Sequence, residues 1–275
     1  MALEERLNAA SRKAGVDVMR YRRHVAFDRF LARLFRRPMP YLVAKGGYVM
    51  ELRLAHARTT KDIDFSYSSQ LLGGKNSDPV ELQRFLQDAA DIDMADFFEF
   101  VVGGSTLDLE NAPYGGFRFP IEARMDGRRF VRFSVDFAAG DCWFQPHQTI
   151  ETHNWLVFAG IAPVMVPVIS FEQQFAEKLH SYTQPREREN SRVKDLVDMV
   201  LILREGAMSI DVLKEIALAT FAKRKGSTWP PDFGQPPKAW ASRFSTMAKA
   251  CEITTSIESA VEEVRAFCRS AGIVQ

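Results

Sequence analysis

From Leu3 to Arg37 apolar residues recur at helical spacing, interrupted at Gly15 and resumed by Val18, Tyr21, Val25, Phe27, Phe30, Leu31 and Leu34 until Pro38 ends the run. Two helices are the simplest reading. The short apolar run Tyr41–Ala44 then predicts a buried strand, Gly46-Gly47 a turn, and Tyr48 to about Ala57 a helix. Asp62-Ile63-Asp64-Phe65 alternates, so on a strand both carboxylates share one face while Ile63 and Phe65 enter a core. Asp78-Pro79 followed by Glu81 marks a helix start, with Leu82, Phe85, Leu86 and Ala89 as its buried stripe.

The period then changes. Phe97–Val102 reads as a strand, and Phe117–Arg124 pairs with Arg129–Phe137 across Asp126-Gly127, a hairpin signal. In the second arm Phe133, Val135 and Phe137 take one face, and Arg132, Ser134 and Asp136 the other. After Pro167 strand signals stop. Ser170 through Gln173 matches a capping box opening a helix through Tyr182. A polar loop from Thr183 to Asn190 follows, then helices over Ser191–Arg204 and Ser209–Lys225, the latter ended by Gly226. A proline-rich connector and two more helices, Ala239–Cys251 and Thr255–Ser270, complete the chain. The fold class expected is α/β (α+β): a mixed-sheet core with flanking helices over residues 1–165, and a helical domain over 166–275 that completes an active-site cleft.

Composition narrows the function only slightly. The 275 residues carry 36 Lys plus Arg against 35 Asp plus Glu, a balance too even to announce a polyanion by net field. Cys142, Cys251 and Cys268 have no metal-ligand or disulfide spacing. No leader-like or membrane-spanning run is present, so a cytoplasmic location without membrane association is expected.

The chemistry is in the acids and the glycines. Two carboxylates on one strand face, a third on another strand, and a glycine turn opening a helix suit phosphoryl or nucleotidyl transfer, in which divalent ions bridge acids and phosphates. Lys178 falls with the buried face of its helix, where it meets an anionic partner or carries its charge to solvent. Asp195 and Asp198 share a helix face near Arg192 and Lys194; Asp195 serves the site or pairs with Arg192. Arg58 and Lys61 flank the acids and either contact phosphates or offset the acidic charge. Arg20, Arg22, Arg23 and the Arg33, Arg36, Arg37 group read as solvated helix faces rather than an RNA track, and His56, His147, His153 and His180 show no metal-ligand spacing with one another.

LVAKGGYVMELR, RTTKDIDF and FSVDF together resemble the hG(G/S), Dh(D/E)h and hDh pattern of DNA polymerase β-like nucleotidyltransferases. AEKLHSY and SRVKDLVDMV resemble the downstream half of the AbiEii/AbiGii toxin family within that superfamily, so the likeness spans roughly Ala44 to Val200. The resemblance implies Asp62, Asp64 and Asp136 as ligands of Mg²⁺, two ions, with Mn²⁺ as the substitute. It implies Gly46 and Gly47 at the triphosphate, and Lys178 and Asp195 as catalytic residues of the helical half. Lys45, Arg58, Lys61 and Arg192 complete the nucleotide-binding candidates. The partners it implies are an NTP, an RNA acceptor of tRNA type and a cognate antitoxin. The Gly47-to-Asp62 interval is at the long end of the pattern, and the loop between Lys178 and Asp195 is extended. Transfer of NMP to a protein hydroxyl, a nucleotide-sensing module without turnover, and metal-dependent phosphate hydrolysis are the competing readings.

Overall fold

The computed structural model describes residues 2–72, 78–108, 115–139, 148–185, 192–224 and 228–274. It divides into two compact units. The first comprises Met1–Leu52, Thr59–Gly140 and Gln148–Val168; the second contains Arg53–Arg58 and Ile169–Gln275.

In the first unit, helices α1 (Ala2–Ala14) and α2 (Val18–Leu34) are separated where Gly15 takes φ +64° and the Asp17 carboxylate caps α2 through the Met19 amide. Strand β1 (Leu42–Lys45) runs directly into α3 (Gly46–Arg53), and β2 (Asp62–Tyr67) follows. After α4 (Pro79–Ala90), capped by Asp78, come β3 (Phe98–Val102), β4 (Leu107–Asp108), β5 (Gly116–Met125), β6 (Arg128–Ala139), β7 (Gln148–Glu151) and β8 (Met165–Val168). They form one mixed sheet ordered β3-β5-β6-β2-β1-β8-β7, with β4 paired to β5. The parallel pairs are β2 with β6 and β1 with β8.

Alternation decides the faces. Ile63, Phe65 and Tyr67 of β2 and Phe133, Val135 and Phe137 of β6 are buried together, and Phe27 and Phe30 of α2 meet Phe133 edge-on at 4.8 and 5.8 Å. The β5–β6 turn is the expected one: Met125 pairs with Arg128, while Asp126 and Gly127 take φ of 51° and 70°, the left-handed values a two-residue hairpin needs. One irregularity follows, at Ala123/Arg124, where β6 carries an extra residue and both Phe130 and Val131 are buried.

Three sequence expectations change here. Gly46-Gly47 is the first turn of α3 rather than a loop before it, and that helix ends at Arg53. Strands β7 and β8 were not expected, and β8 supplies the partner on β1's outer edge. Arg33 is not on a solvated face; it is buried, donating to both Asp96 oxygens and to the Phe98 carbonyl, while Arg29 also binds Asp96.

The second unit is helical: α5 (Phe171–Thr183), α6 (Val193–Glu205), α7 (Ile210–Lys223), α8 (Trp240–Ala250) and α9 (Ile257–Ser270). Ser170 caps α5 through the Gln173 amide, as its sequence indicates, and Ser256 caps α9 through Ser259. Helix α6 is buried over most of its length, because α5, α8 and α9 all pack against it. Gly226 and most of the polar loop before α6 lie outside the described residues. Among the described residues no helix is long and apolar enough to cross a membrane.

Candidate active site

Register across four strands places charges in one lateral row. Lys45 of β1 lies opposite Asp64 of β2, Asp64 lies opposite Asp136 of β6, and Asp136 lies opposite Arg118 of β5. Residues directly opposite one another project from the same face, and neighbouring strands are about 4.8 Å apart. The row therefore reads cation, acid, acid, cation. Asp62, two residues before Asp64 on β2, projects from the same face beside it.

Each acid has a defined environment. Asp136 is nearly buried, and both its oxygens are held by Arg118, from Nε at 2.7 Å and Nη2 at 2.6 Å. Arg118 Nη2 also lies 3.8 Å from Asp62. Hydrogen bonding to Asp136, outweighing the cost of partial burial and reinforced by Asp136, Asp62 and Asp64 charge, raises the guanidinium pKa above its ordinary value. Asp62 accepts from Thr60 Oγ1 at 2.5 Å, and the Thr60 amide in turn donates to Glu51. Glu51 is buried with Arg20 and His24 on its other oxygen, both at 2.8 Å. Burial pushes the Glu51 carboxyl up, but His24, Arg20 and the Thr60 amide together hold it below the ordinary range.

Gly46 sits against the row. Its φ is +72°, and a Cβ there would lie 1.9 Å from Asp64 Oδ2, so a side chain at residue 46 and the observed Asp64 rotamer exclude one another. Both requirements, a left-handed backbone and no Cβ, select glycine. The position also starts α3, whose amide end is the positive end of its dipole.

As the side chains stand, no three His, Cys, Asp or Glu groups among the described residues are gathered to hold a metal ion; Asp136 is turned to Arg118 and Asp62 to Thr60. The donor set nevertheless suits a hard divalent cation. It consists of carboxylate oxygens, and the Arg118 guanidinium, touching Asp136 and close to Asp62, is itself a cation stabilised at that point.

The remaining candidates divide between the units. Lys61 is exposed just before β2. Lys178, Asp195, Arg58 and Arg192 belong to the helical unit, where a fully buried Asp198 is the hub. Arg58 binds Asp198 with Nε and Nη2, both at 2.9 Å, and Lys178 Nζ donates to the same carboxylate. Burial pushes the Asp198 carboxyl up, but Lys178 and Arg58 outweigh it and hold it below the ordinary range. Lys178 is thus buried on an anionic partner rather than extended to solvent, and Arg58 is engaged with Asp198. Asp195 lies 3.6 Å from Lys178 and 3.7 Å from Arg192, and its buried Oδ2 has no hydrogen-bond partner.

Sequence reasoning missed Arg118, Thr60 and Glu51. Arg118 was hidden by the β6 bulge, since an unbroken hairpin from Met125/Arg128 would have set it opposite Val135 instead of Asp136.

The mixed sheet aligns an Asp-x-Asp strand with a third aspartate beside glycines that open a helix, the arrangement that the resemblance to nucleotidyltransferases implies. Residues 29–266 match the family model described as nucleotidyl transferase AbiEii toxin, type IV TA system, and the chain belongs to that family of nucleotidyltransferase toxins of type IV toxin–antitoxin systems. Membership carries with it a nucleotide substrate and a cognate antitoxin. Among solved structures the chain is similar to MenT4, a nucleotidyltransferase toxin from Mycobacterium tuberculosis, at 18% identity over 92% of each chain with a TM-score of 0.53. JHP933 from Helicobacter pylori is more distant, at 13% identity over 88% of this chain and 87% of that one, with a TM-score of 0.45. No curated protein matches the chain.

Proposed function

We propose that the protein transfers NMP from an NTP to the 3′-terminal hydroxyl of an RNA, of tRNA type, with magnesium at Asp62, Asp64 and Asp136. The observation that carries this reading is the aligned row of Asp64 and Asp136 beside Gly46. Bound magnesium supplies charge neutralisation for the phosphates and lowers the pKa of the attacking hydroxyl. Gly46 lets the triphosphate approach the backbone at the positive end of α3, and Lys45 adds a point charge at the row's β1 end. The acceptor oxygen bonds to the α-phosphorus, the bond to the β-phosphate oxygen breaks, and pyrophosphate leaves. Asp136 receives the hydroxyl proton. In the helical unit, Lys178 and Asp195 are the proposed catalytic residues, with Asp198 and Arg58 fixing the Lys178 ammonium. The buried Oδ2 of Asp195 makes no hydrogen bond and has Arg192 only at 3.7 Å, which supports a role beyond holding the helices together.

Pure protein with Mg²⁺, each labelled NTP and total RNA provides the test. Label on RNA that disappears with Asp64→Ala is expected. Label on protein alone transfers the reading to a protein hydroxyl, and tight NTP binding without pyrophosphate release replaces it with a sensing module.

A further inference from the structure

Arg118 neutralises the acid row without being one of its acids. Two carboxylates directly opposite on neighbouring strands repel one another, yet Asp64 and Asp136 stand so in β2 and β6. With Lys45 at one end and Arg118 at the other, the four formal charges of the row sum to zero, and Asp62 beside Asp64 adds one negative charge. The Arg118 contact is the stronger kind. Its planar fork meets both oxygens of Asp136 at 2.7 and 2.6 Å, so the carboxylate assigned to a divalent ion already has its binding edge filled by a monovalent one. It is also positioned to leave. The side chain is about one-third exposed, against one-tenth for its Asp136 partner, and it rises from a strand rather than being clamped by a second acid at bonding distance, since Asp62 is 3.8 Å away.

We propose that Arg118 is an exchangeable counter-cation: without nucleotide it occupies Asp136 and suppresses binding of free divalent metal, and when metal and NTP arrive its guanidinium passes from Asp136 to phosphate oxygens of the nucleotide. The proposal rests on the nucleotidyltransferase reading above. It makes metal and nucleotide binding mutually dependent, because the group that metal displaces from the acids is a ligand for the phosphates. The exchange breaks no covalent bond and moves no proton.

Titrating the full-length protein with Mn²⁺ alone, with free Mn²⁺ followed by electron paramagnetic resonance, separates the possibilities. Arg118→Gln and Arg118→Ala are expected to bind Mn²⁺ on the order of tenfold more tightly than the parent, with Arg118→Lys between them. Adding Asp64→Asn should abolish the gain. In the same variants, equilibrium dialysis of each labelled NTP with Mn²⁺ should show affinity reduced about tenfold. Mn²⁺ binding no tighter in Arg118→Gln and Arg118→Lys than in the parent overturns the proposal, and these two variants, which keep hydrogen-bonding capacity beside Asp136, carry the comparison if Arg118→Ala does not fold. If Asp64→Asn weakens Mn²⁺ binding while the Arg118 variants gain nothing, the counter-cation role fails and the metal site stands. If Asp64→Asn leaves Mn²⁺ binding unchanged in every background, the metal-site reading fails and the counter-cation role falls with it.

Discussion

Replacing Gly46 with alanine perturbs the row through geometry alone, since it adds one methyl and no charge. Two costs follow. A non-glycine residue at φ +72° loses about 1–2 kcal/mol to backbone strain. The new Cβ would also lie 1.9 Å from Asp64 Oδ2 and 2.6 Å from Asp64 Cγ, far inside contact distance, so the carboxylate must leave its position. Forcing it off its rotamer costs roughly 0.5–1.5 kcal/mol more. Gly15→Ala is the control: φ is +64° there and nothing lies within 4 Å of the added Cβ, so it reports the backbone cost by itself. Urea denaturation should therefore show Gly46→Ala more destabilised than Gly15→Ala by about the rotamer cost. Catalysis should separate them far more. Moving a reacting group by about an ångström costs on the order of a hundredfold in rate, so nucleotidyl transfer should fall about that much in Gly46→Ala and stay near the parent rate in Gly15→Ala. Equal stabilities in the two variants, with transfer by Gly46→Ala within a fewfold of the parent, would refute the close approach of Gly46 to Asp64.

Asp198→Ala leaves the buried Lys178 and the half-buried Arg58 without their shared anion, and should cost about 3–5 kcal/mol in chemical denaturation; a loss below about 1 kcal/mol would show that neither cation depends on it. Acid should destabilise the protein in a defined window, because the Asp198, Asp96 and Glu51 carboxyls all lie below their ordinary values when folded. Their contribution is complete above the unfolded carboxyl range near about pH 4 and is lost as pH falls through the depressed folded values, so melting temperatures should drop steeply below about pH 4 and less steeply in Asp96→Asn. A melting temperature that holds level down to about pH 3 would contradict those partners. Gly127→Ala places a side chain at φ +70° with nothing within 4 Å, so it should lose about 1–2 kcal/mol of stability by thermal melting while transfer activity is unchanged.

What the sequence made legible and what it hid follow from the range of each signal. Helix starts at Asp78 and Ser170, the Asp126-Gly127 turn and the alternation in Asp62–Phe65 are local, and each appears in the fold where its residues indicate. Strands β7 and β8 are four residues each, and β8 is held by a parallel partner far away in sequence, so period alone carried no trace of them. Buried arginines behave the same way. Nothing local distinguishes Arg33, locked on Asp96 from 63 positions away, from a solvated helix charge. The acid row lies between these extremes. That Asp62 and Asp64 share a face is a property of one strand, whereas the alignment of Asp64 with Asp136 needs β2 and β6 to pair in parallel across the centre of the sheet. Arg118 needs one step more, since the extra residue in β6 shifts the β5 register by one and turns an arginine that simple hairpin counting would set against Val135 onto Asp136. A single bulged residue thereby decides whether the row ends in a cation or at Asp136, with Lys45 as the only cation left in the row, which makes the bulge as much a part of the site as the aspartates it serves.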